Sequence, residues 1–578
     1  MEAKRGIWRN AWRLARPYWS SEDKAWAWGL LAIVVILNFL SVAVIVMLNW
    51  WRKAIFDALQ HYDESEFIWQ LGYYAVLSVL SITFLVYQTY LGQMLQIRWR
   101  RWLTRQYLNA WLDERAYYRL QVSDTGTDNP DQRIADDLDR FTKHTIALTV
   151  GTTGFLNAGI TVVSFLAILW SISGPMTIPL GAWGDFTVPA YMVWVALVYA
   201  VGGTWLTFKI GRPLVRLNFD QQRYEADFRF SLVRLRENTE SIALYGGESR
   251  ELGNFTERFT NVVGNFWSIM KRVKILGWYT RTYDQVAVIF PFIVAAPMYF
   301  SKKIEIGGLM QTAGAFFELQ VALSYLIKNY TEIAEWQSVV ERLHGFDLRV
   351  REIAAAARAP QQIEVRTGGE GIEVADLELD LPDGSALLRD VGFSVPAGQA
   401  LLIAGPTGTG KSTLLRAIAG IWPYGRGRIR LGSGVCLFLP QRPYLPLGTL
   451  RHAVLYPRED LAVPTAKIAA VLREVGLPEL VEELDSSQNW AHRLSLGEQQ
   501  RLAFARVLLT QPTIVFLDEA SSALDEACEA MLYRLLRAAP WRPTIVSIGH
   551  RSTLRAFHDS VLDLGAMCQR RGVLTVVT

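Results

Sequence analysis

Long apolar runs separated by charged stretches fill the first half of the chain, and much shorter apolar runs fill the second. A helix that crosses a bilayer needs roughly twenty mainly apolar residues. Stretches near 25–48, 68–91, 146–172, 190–210, 282–300 and 309–328 meet that requirement. The last is the least apolar, because Gln311, Glu318 and Gln320 interrupt it. One such run could be a buried core helix, but six in half a chain predict a polytopic membrane domain.

Lys and Arg in the flanks orient these spans. Lys4, Arg5, Arg9, Arg13, Arg16 and Lys24 precede the first, and the next connection carries only Arg52 and Lys53. The segment 92–145 is rich again, from Arg98 to Lys143; 173–189 has no Lys or Arg. Segment 211–281 is rich, and 301–308 has only Lys302 and Lys303. This alternation predicts that both termini are cytoplasmic, with long inner and short outer loops. The inner segments mix apolar residues with charges of both signs, so the spans should continue into the cytosol as helices. Turn signals interrupt the two excursions at Asp128-Asn129-Pro130-Asp131 and at Leu244-Tyr245-Gly246-Gly247. The turns at Asp131 and Tyr245 are expected to meet the domain that follows.

A polar stretch near 346–370, ending in Gly368-Gly369-Glu370-Gly371, reads as a linker between domains 1–345 and 371–578. Composition agrees: 578 residues exceed a single core, and 51% hydrophobic residues with 21 Trp fit membrane segments with aromatic belts. A net charge of +4 gives no argument for nucleic acid. Cys436, Cys528 and Cys568 lack metal-type spacing and read as free thiols in a reducing cytosol. The first apolar run has membrane length and no small-residue cleavage pattern, so it reads as a retained span.

The chemistry lies in the second half. Gly405-Pro406-Thr407-Gly408-Thr409-Gly410-Lys411-Ser412-Thr413 fits the phosphate-binding loop G-x-x-x-x-G-K-[ST]. It follows a strand-like Ala400-Leu401-Leu402-Ile403 and precedes a helix-compatible Leu414–Ile418. Its glycines let successive N–H groups turn towards phosphate oxygens at a helix N-terminus. Lys411 would reach the β- and γ-phosphates, and Ser412 would hold Mg²⁺. A second aliphatic run, Thr513–Leu517, ends in Asp518, placed to bind Mg²⁺ through water. Glu519 follows and suits a general base that polarises the attacking water. Leu494-Ser495-Leu496-Gly497-Glu498-Gln499-Gln500-Arg501 opens another helix, whose Ser495 and first amides form a second anion site.

That last run resembles the signature of ABC ATPases, usually Leu-Ser-Gly-Gly-Gln, and departs from it at Leu496 and Glu498. Ser495 and Gly497, which the family uses at the γ-phosphate, are kept. The resemblance further implies that Gln441 is the Q-loop glutamine at Mg²⁺ and that Ser521–Asp525 is the D-loop, with Asp525 at the nucleotide. It also implies that His550 is the switch histidine. The aromatic that many members stack on adenine is replaced by Leu381, before Pro382. The whole layout resembles an exporter-type half-transporter: an α-helical polytopic membrane domain of six transmembrane helices fused to an α/β P-loop ATPase domain of ABC type. Asn129–Ile134, Ser241–Glu248 and Leu439–Leu445 resemble the group of peroxisomal acyl-CoA transporters and its bacterial YddA-like and SbmA/BacA-like relatives.

The resemblance implies a homodimer in a bacterial inner membrane, two ATP sites with Mg²⁺, and hydrolysis coupled to solute movement. Uptake of peptides or other hydrophilic compounds is the expected function. Export or flipping of lipid or acyl compounds is the alternative, and a membrane-anchored ATPase that moves no solute is the remote one. A P-loop kinase would lack the Ser495–Gly497 motif, and a soluble ABC ATPase would lack the spans. Glu318, within the weakest span, is expected to face a substrate cavity, because a lipid-facing charge costs about 2.5–3.5 kcal/mol on insertion scales. A cavity carboxylate there would favour cationic substrates.

Overall fold

The apolar runs become helices much longer than a bilayer is thick. The structure, a computed structural model, describes residues 2–122, 130–174, 176–179, 185–359, 362–458 and 462–565. Cys568 and the Asp128-Asn129 part of the first turn signal lie outside the described residues. The chain separates into two units, Met1–Ala110 with Asp128–Leu348, and Trp111–Thr127 with Arg349–Thr578.

The first unit is helical. It begins with α1 (Glu2–Trp19), α2 (Lys24–Gln60) and α3 (Glu64–Leu112), the last leading through a turn into α4 (Ala116–Val122). After α5 (Pro130–Gln132) a single π turn, Arg133–Asp137, leads to α6 (Leu138–Thr149) and α7 (Phe155–Ile172). Next come α8 (Tyr191–Glu237), α9 (Thr239–Tyr245), α10 (Glu248–Phe300) and α11 (Ile306–Leu323). Then follow α12 (Tyr325–Lys328) and α13 (Tyr330–Arg358). At 1.5 Å per residue α8 and α10 are roughly 70–80 Å long, against a hydrocarbon core of about 30 Å. Both therefore extend well beyond it. Between α7 and α8, β1 (Met176–Pro179) and β2 (Asp185–Val188) pair antiparallel.

Among the described residues five helical segments are long and apolar enough to cross a membrane: Lys24–Gln60, Glu64–Val122, Phe155–Ile172, Tyr191–Glu237 and Glu248–Phe300. The sixth expected span, α11, falls short in apolarity and is largely enclosed by its neighbours. Gly307, Gly308, Gly314, Ala315, Phe316 and Leu319 are buried there, and it packs on α2, α7 and α10. Small residues let membrane helices approach closely, so a helix at the centre of a bundle need not be strongly apolar.

The third expected span, 146–172, is two helices with a break at 150–154. The carbonyl of Val150, freed by the break, accepts a hydrogen bond from Nδ2 of buried Asn38 at 2.9 Å. A broken turn survives in a membrane bundle only when such a partner satisfies it. The expected linker also differs: α13 runs on to Arg358, so 346–358 is helical.

The second unit holds two sheets. In the first, β3 (Ile363–Thr367), β7 (Gly425–Leu431), β4 (Ile372–Asp380) and β5 (Ala386–Val395) lie in that order. The second runs β11 (Ser560–Asp563), β6 (Ala400–Ala404), β10 (Thr544–Ile548), β9 (Ile514–Asp518) and β8 (Cys436–Leu439), all parallel. Its strands are continuous aliphatic runs because both faces are covered. Three helices matter for the site: α14 (Lys411–Ile418), α15 (Leu496–Thr510) and α16 (Glu526–Arg537). Since β6, β10 and β9 are neighbours and parallel, their C-terminal ends open on one edge, where such sheets bind ligands.

The part of the first half that joins this unit is Trp111–Thr127, with Arg115 Nη1 3.0 Å from the Ala419 carbonyl and Asp113 2.7 Å from Arg358. Asp131 belongs to the helical unit and is exposed there. The chain turns at Asp113–Arg115, well before the Asn-Pro signal, because Glu114 and Arg115 adopt left-handed backbone that ends α3. Tyr245 ends α9 fully in solvent, and Gly246 beyond it takes the left-handed φ of +61° that closes a helix.

Candidate active site

Each strand end on that edge delivers one functional group. The loop after β6 takes positive φ at Gly405, Gly408 and Gly410, conformations open to glycine and costly for other residues. At Gly410 even a methyl would press on Leu387, so the loop must be bare there. Lys411 curls back, its Nζ donating to the carbonyls of Gly405 and Pro406 at 2.8 Å each. Burial lowers its pKa, and the nearby Glu519 and Asp518 oppose that shift. Thr409 Oγ1 braces the loop on the Pro406 carbonyl at 2.9 Å.

Asp518 ends β9 and accepts a hydrogen bond from Ser412 Oγ at 3.0 Å. Burial raises its pKa, and the Ser412 hydroxyl opposes this. The hydroxyl and carboxylate form a hard oxygen pair. They fit Mg²⁺, which takes one or two protein oxygens and completes its shell with water and phosphate.

Glu519 follows on left-handed backbone, φ 49°, an uncommon state for a non-glycine residue and typical of functional sites. Its carboxylate is held from both sides. Gln441 Nε2 donates to Oε2 at 3.1 Å, and His550 Nε2 lies 3.0 Å from Oε1. Gln441 and His550, singled out by the family resemblance, thus converge on Glu519, the expected general base.

The signature and D-loop residues are placed differently. Ser495 caps α15 in a reciprocal box: Glu498 Oε2 accepts from the Ser495 backbone N–H at 2.8 Å and from its hydroxyl at 2.7 Å. The Ser495 hydroxyl holds the Glu498 carboxyl below its usual pKa. Glu498, at the position where the motif usually has Gln, therefore holds the anion-binding groups of this helix end. Gly497 opens the same helix, where a Cβ would lie 3.3 Å from the Ala523 carbonyl. Asp525 is committed to its own helix, capping α16 by accepting from the Cys528 N–H at 2.7 Å. Leu381 sits in the turn between β4 and β5 and packs, partly buried, on the core that includes Leu388.

Sequence reasoning missed the side chains that hold these loops together. Arg551, next to His550, donates to the carbonyls of Leu524 at 2.8 Å and Ser522 at 3.4 Å. It lies 3.6 Å from Glu529, which is buried and accepts from the Ser521 and Thr553 hydroxyls. Gln500 is fully buried between the Q-loop and the D-loop. A glutamine or glutamate on a helix face carries no signal of its own; these partners come from distant strands.

Glu318 lies in the other unit, half-buried on α11. Arg52 on α2 is the charged group that acts on it. One turn before Glu318, a Cβ on Gly314 would run into the Arg52 guanidinium and touch Asn49. Asn49 Nδ2 donates to the Gln311 carbonyl at 3.0 Å. Asn49 Oδ1 and Gln311 Nε2 are buried without a protein partner.

A phosphate loop, a strand-end carboxylate pair and a strand-end histidine on a parallel sheet, carried by a chain with membrane-spanning helices, define a membrane-bound P-loop ATPase. The chain belongs to the ABC transporter family. Residues 14–300 match ABC transporter transmembrane region 2, and residues 388–522 match the ABC transporter domain. It is 35% identical to ABC transporter D family member 2, chloroplastic, of Arabidopsis thaliana, over 96% of this chain and 86% of that protein. It is 30% identical to the inner membrane ABC transporter ATP-binding protein YddA of Escherichia coli, over 96% and 97%. To the human lysosomal cobalamin transporter ABCD4 it is 28% identical, over 95% and 92%. In fold it resembles an ATP-bound bacterial Atm1-family ABC exporter, with TM-score 0.69 over 94% and 95% of the chains at 18% identity. The protein is thus an ABC half-transporter of exporter-type fold that couples ATP hydrolysis to transport.

Proposed function

We propose that two copies of the chain take up a hydrophilic solute, a cationic peptide or a compound of similar polarity, across a bacterial inner membrane. The observation that carries the choice of solute is the polar cluster on α2 and α11. Arg52 and Asn49 reach α11 at Gly314, Asn49 bonds the Gln311 carbonyl, two buried amide atoms there lack protein partners, and Glu318 follows one turn along the same helix. Unpaired polar atoms inside a membrane bundle are expensive unless water or a polar ligand reaches them. A passage built only for acyl chains has no use for them. The inward direction rests on the resemblance to the bacterial uptake group, and the location on the resemblance to YddA.

In this reading the phosphate loop of one copy and Ser495 and Gly497 of the other enclose each ATP. The ATPase domains are cytoplasmic. Ser412, Asp518 and Gln441 would hold Mg²⁺, which would supply positive charge against the phosphates. Lys411 meets the β- and γ-phosphates, His550 the γ-phosphate, and Glu519 takes a proton from the attacking water. For ATP, Lys411 must leave the Gly405 and Pro406 carbonyls, while Glu519 keeps an acceptor site on each oxygen for water beside Gln441 and His550. The turns at Asp131 and Tyr245 would transmit the resulting motion.

Proteoliposomes test this. With ATP supplied outside, only copies whose ATPase domains face outward work, so uptake into a cell corresponds to loss of preloaded solute from the lumen. ATP-dependent loss of a cationic peptide or of cobalamin is expected. ATP-dependent accumulation of acyl-CoA in the lumen would overturn both solute and direction.

A further inference from the structure

Gln500 lies in the second turn of α15, fully buried, and all its amide groups are engaged. Its Nε2 donates to the Gln441 carbonyl at 2.9 Å and to Ser522 Oγ at 3.2 Å. Its Oε1 accepts from the Ala523 N–H at 3.0 Å. The orientation of this amide is not interchangeable. The Ala523 N–H can only donate and the Gln441 carbonyl can only accept, so the oxygen must face the D-loop and the nitrogen the Q-loop.

These bonds complete a ring around one carboxylate. From Gln500 the path runs to the Gln441 main chain, then through the Gln441 side chain to Glu519 Oε2 at 3.1 Å. From Glu519 it returns through the Ser522 N–H, 3.0 Å from the Glu519 carbonyl, and through Ser522 Oγ back to Gln500. Glu519 therefore has its side chain and its main chain tied to the same amide. It also sits on left-handed backbone, φ 49°. A non-glycine residue stays in that conformation only where its surroundings over-determine it.

We propose that Gln500 is a positioning residue for hydrolysis: it holds the Q-loop and D-loop at a fixed separation and so aims the Glu519 carboxylate. All of its amide bonds go to protein groups. Its helix is the one that Ser495 caps, so a shift of α15 at its signature end moves the support of the base. A helix that meets nucleotide across a dimer would thereby signal its position to the hydrolytic group in its own protomer. The proposal rests on Glu519 being the general base.

A double-mutant cycle in the reconstituted full-length transporter tests it, with Gln500→Ala, Gln441→Ala and both together. In Gln500→Ala, kcat should fall about tenfold or more, as expected when a reacting group is misplaced, while KM for ATP and nucleotide binding stay near wild type. The double variant should be no slower than Gln441→Ala, because both changes cut the same ring. Equal losses of kcat and nucleotide binding, or fully additive losses, would overturn the proposal. Ser522→Ala breaks one bond of the ring at an exposed residue and guards against a folding failure of Gln500→Ala. It should lower kcat severalfold at unchanged melting temperature, and unchanged kcat would also sink the idea. A Glu519→Gln variant that still turns over would refute the assignment of the base separately.

Discussion

His550 Nε2 lies 3.0 Å from Glu519 Oε1, while Gln441 holds the other oxygen of the same carboxylate. The group best placed to activate water is therefore held through both of its oxygens. Glu519→Gln should abolish hydrolysis and leave ATP binding intact, since loss of a general base typically costs about 10²–10⁴ in rate. Steady-state hydrolysis measured beside nucleotide binding checks this. Near-normal turnover would remove Glu519 from the role.

Ser495 serves two ends, the cap of α15 and an anion site. Ser495→Ala should cost about 1 kcal/mol of domain stability through the lost cap. It should also reduce hydrolysis far more than that loss explains. Thermal unfolding and turnover of the same preparation separate the effects. A drop in turnover no larger than the loss of folded protein would reduce Ser495 to a cap.

Leu381 packs partly on the core at the turn between β4 and β5, with space on its solvent side. Leu381→Tyr should tighten adenine-nucleotide binding severalfold, because ring stacking is worth roughly 1 kcal/mol. Unchanged or weaker binding in a nucleotide titration would mean that this turn does not face the base.

Glu318 and Arg52 give the intramembrane cluster its charges. Glu318→Gln should fold, keep basal ATPase activity and lose solute flux. Gly314→Ala places a methyl against the mobile end of Arg52, so it should move the guanidinium and lower flux without unfolding the protein. Normal flux in both variants would refute the cavity role. A failure of Glu318→Gln to fold would make the carboxylate a structural partner.

The sequence by itself determined much of this protein. Span length and Lys/Arg alternation marked the membrane domain, because a bilayer imposes its thickness and charge asymmetry on any chain. The residues from Gly405 to Thr413 and the Asp518-Glu519 pair were legible because their work needs fixed residue types at fixed local spacing. Tertiary structure decided what spacing does not encode. The third span breaks at Val150 because Asn38, from another helix, is there to satisfy its carbonyl. The least apolar span, α11, is an enclosed helix because its small residues face neighbours rather than lipid. Gln500 lies far along the chain from Gln441, and the parallel sheet brings the two loops it bridges, after β8 and after β9, to one edge. Its bonds depend on which strands are neighbours, and strand order is set by packing across the whole sheet rather than by any local run of residues.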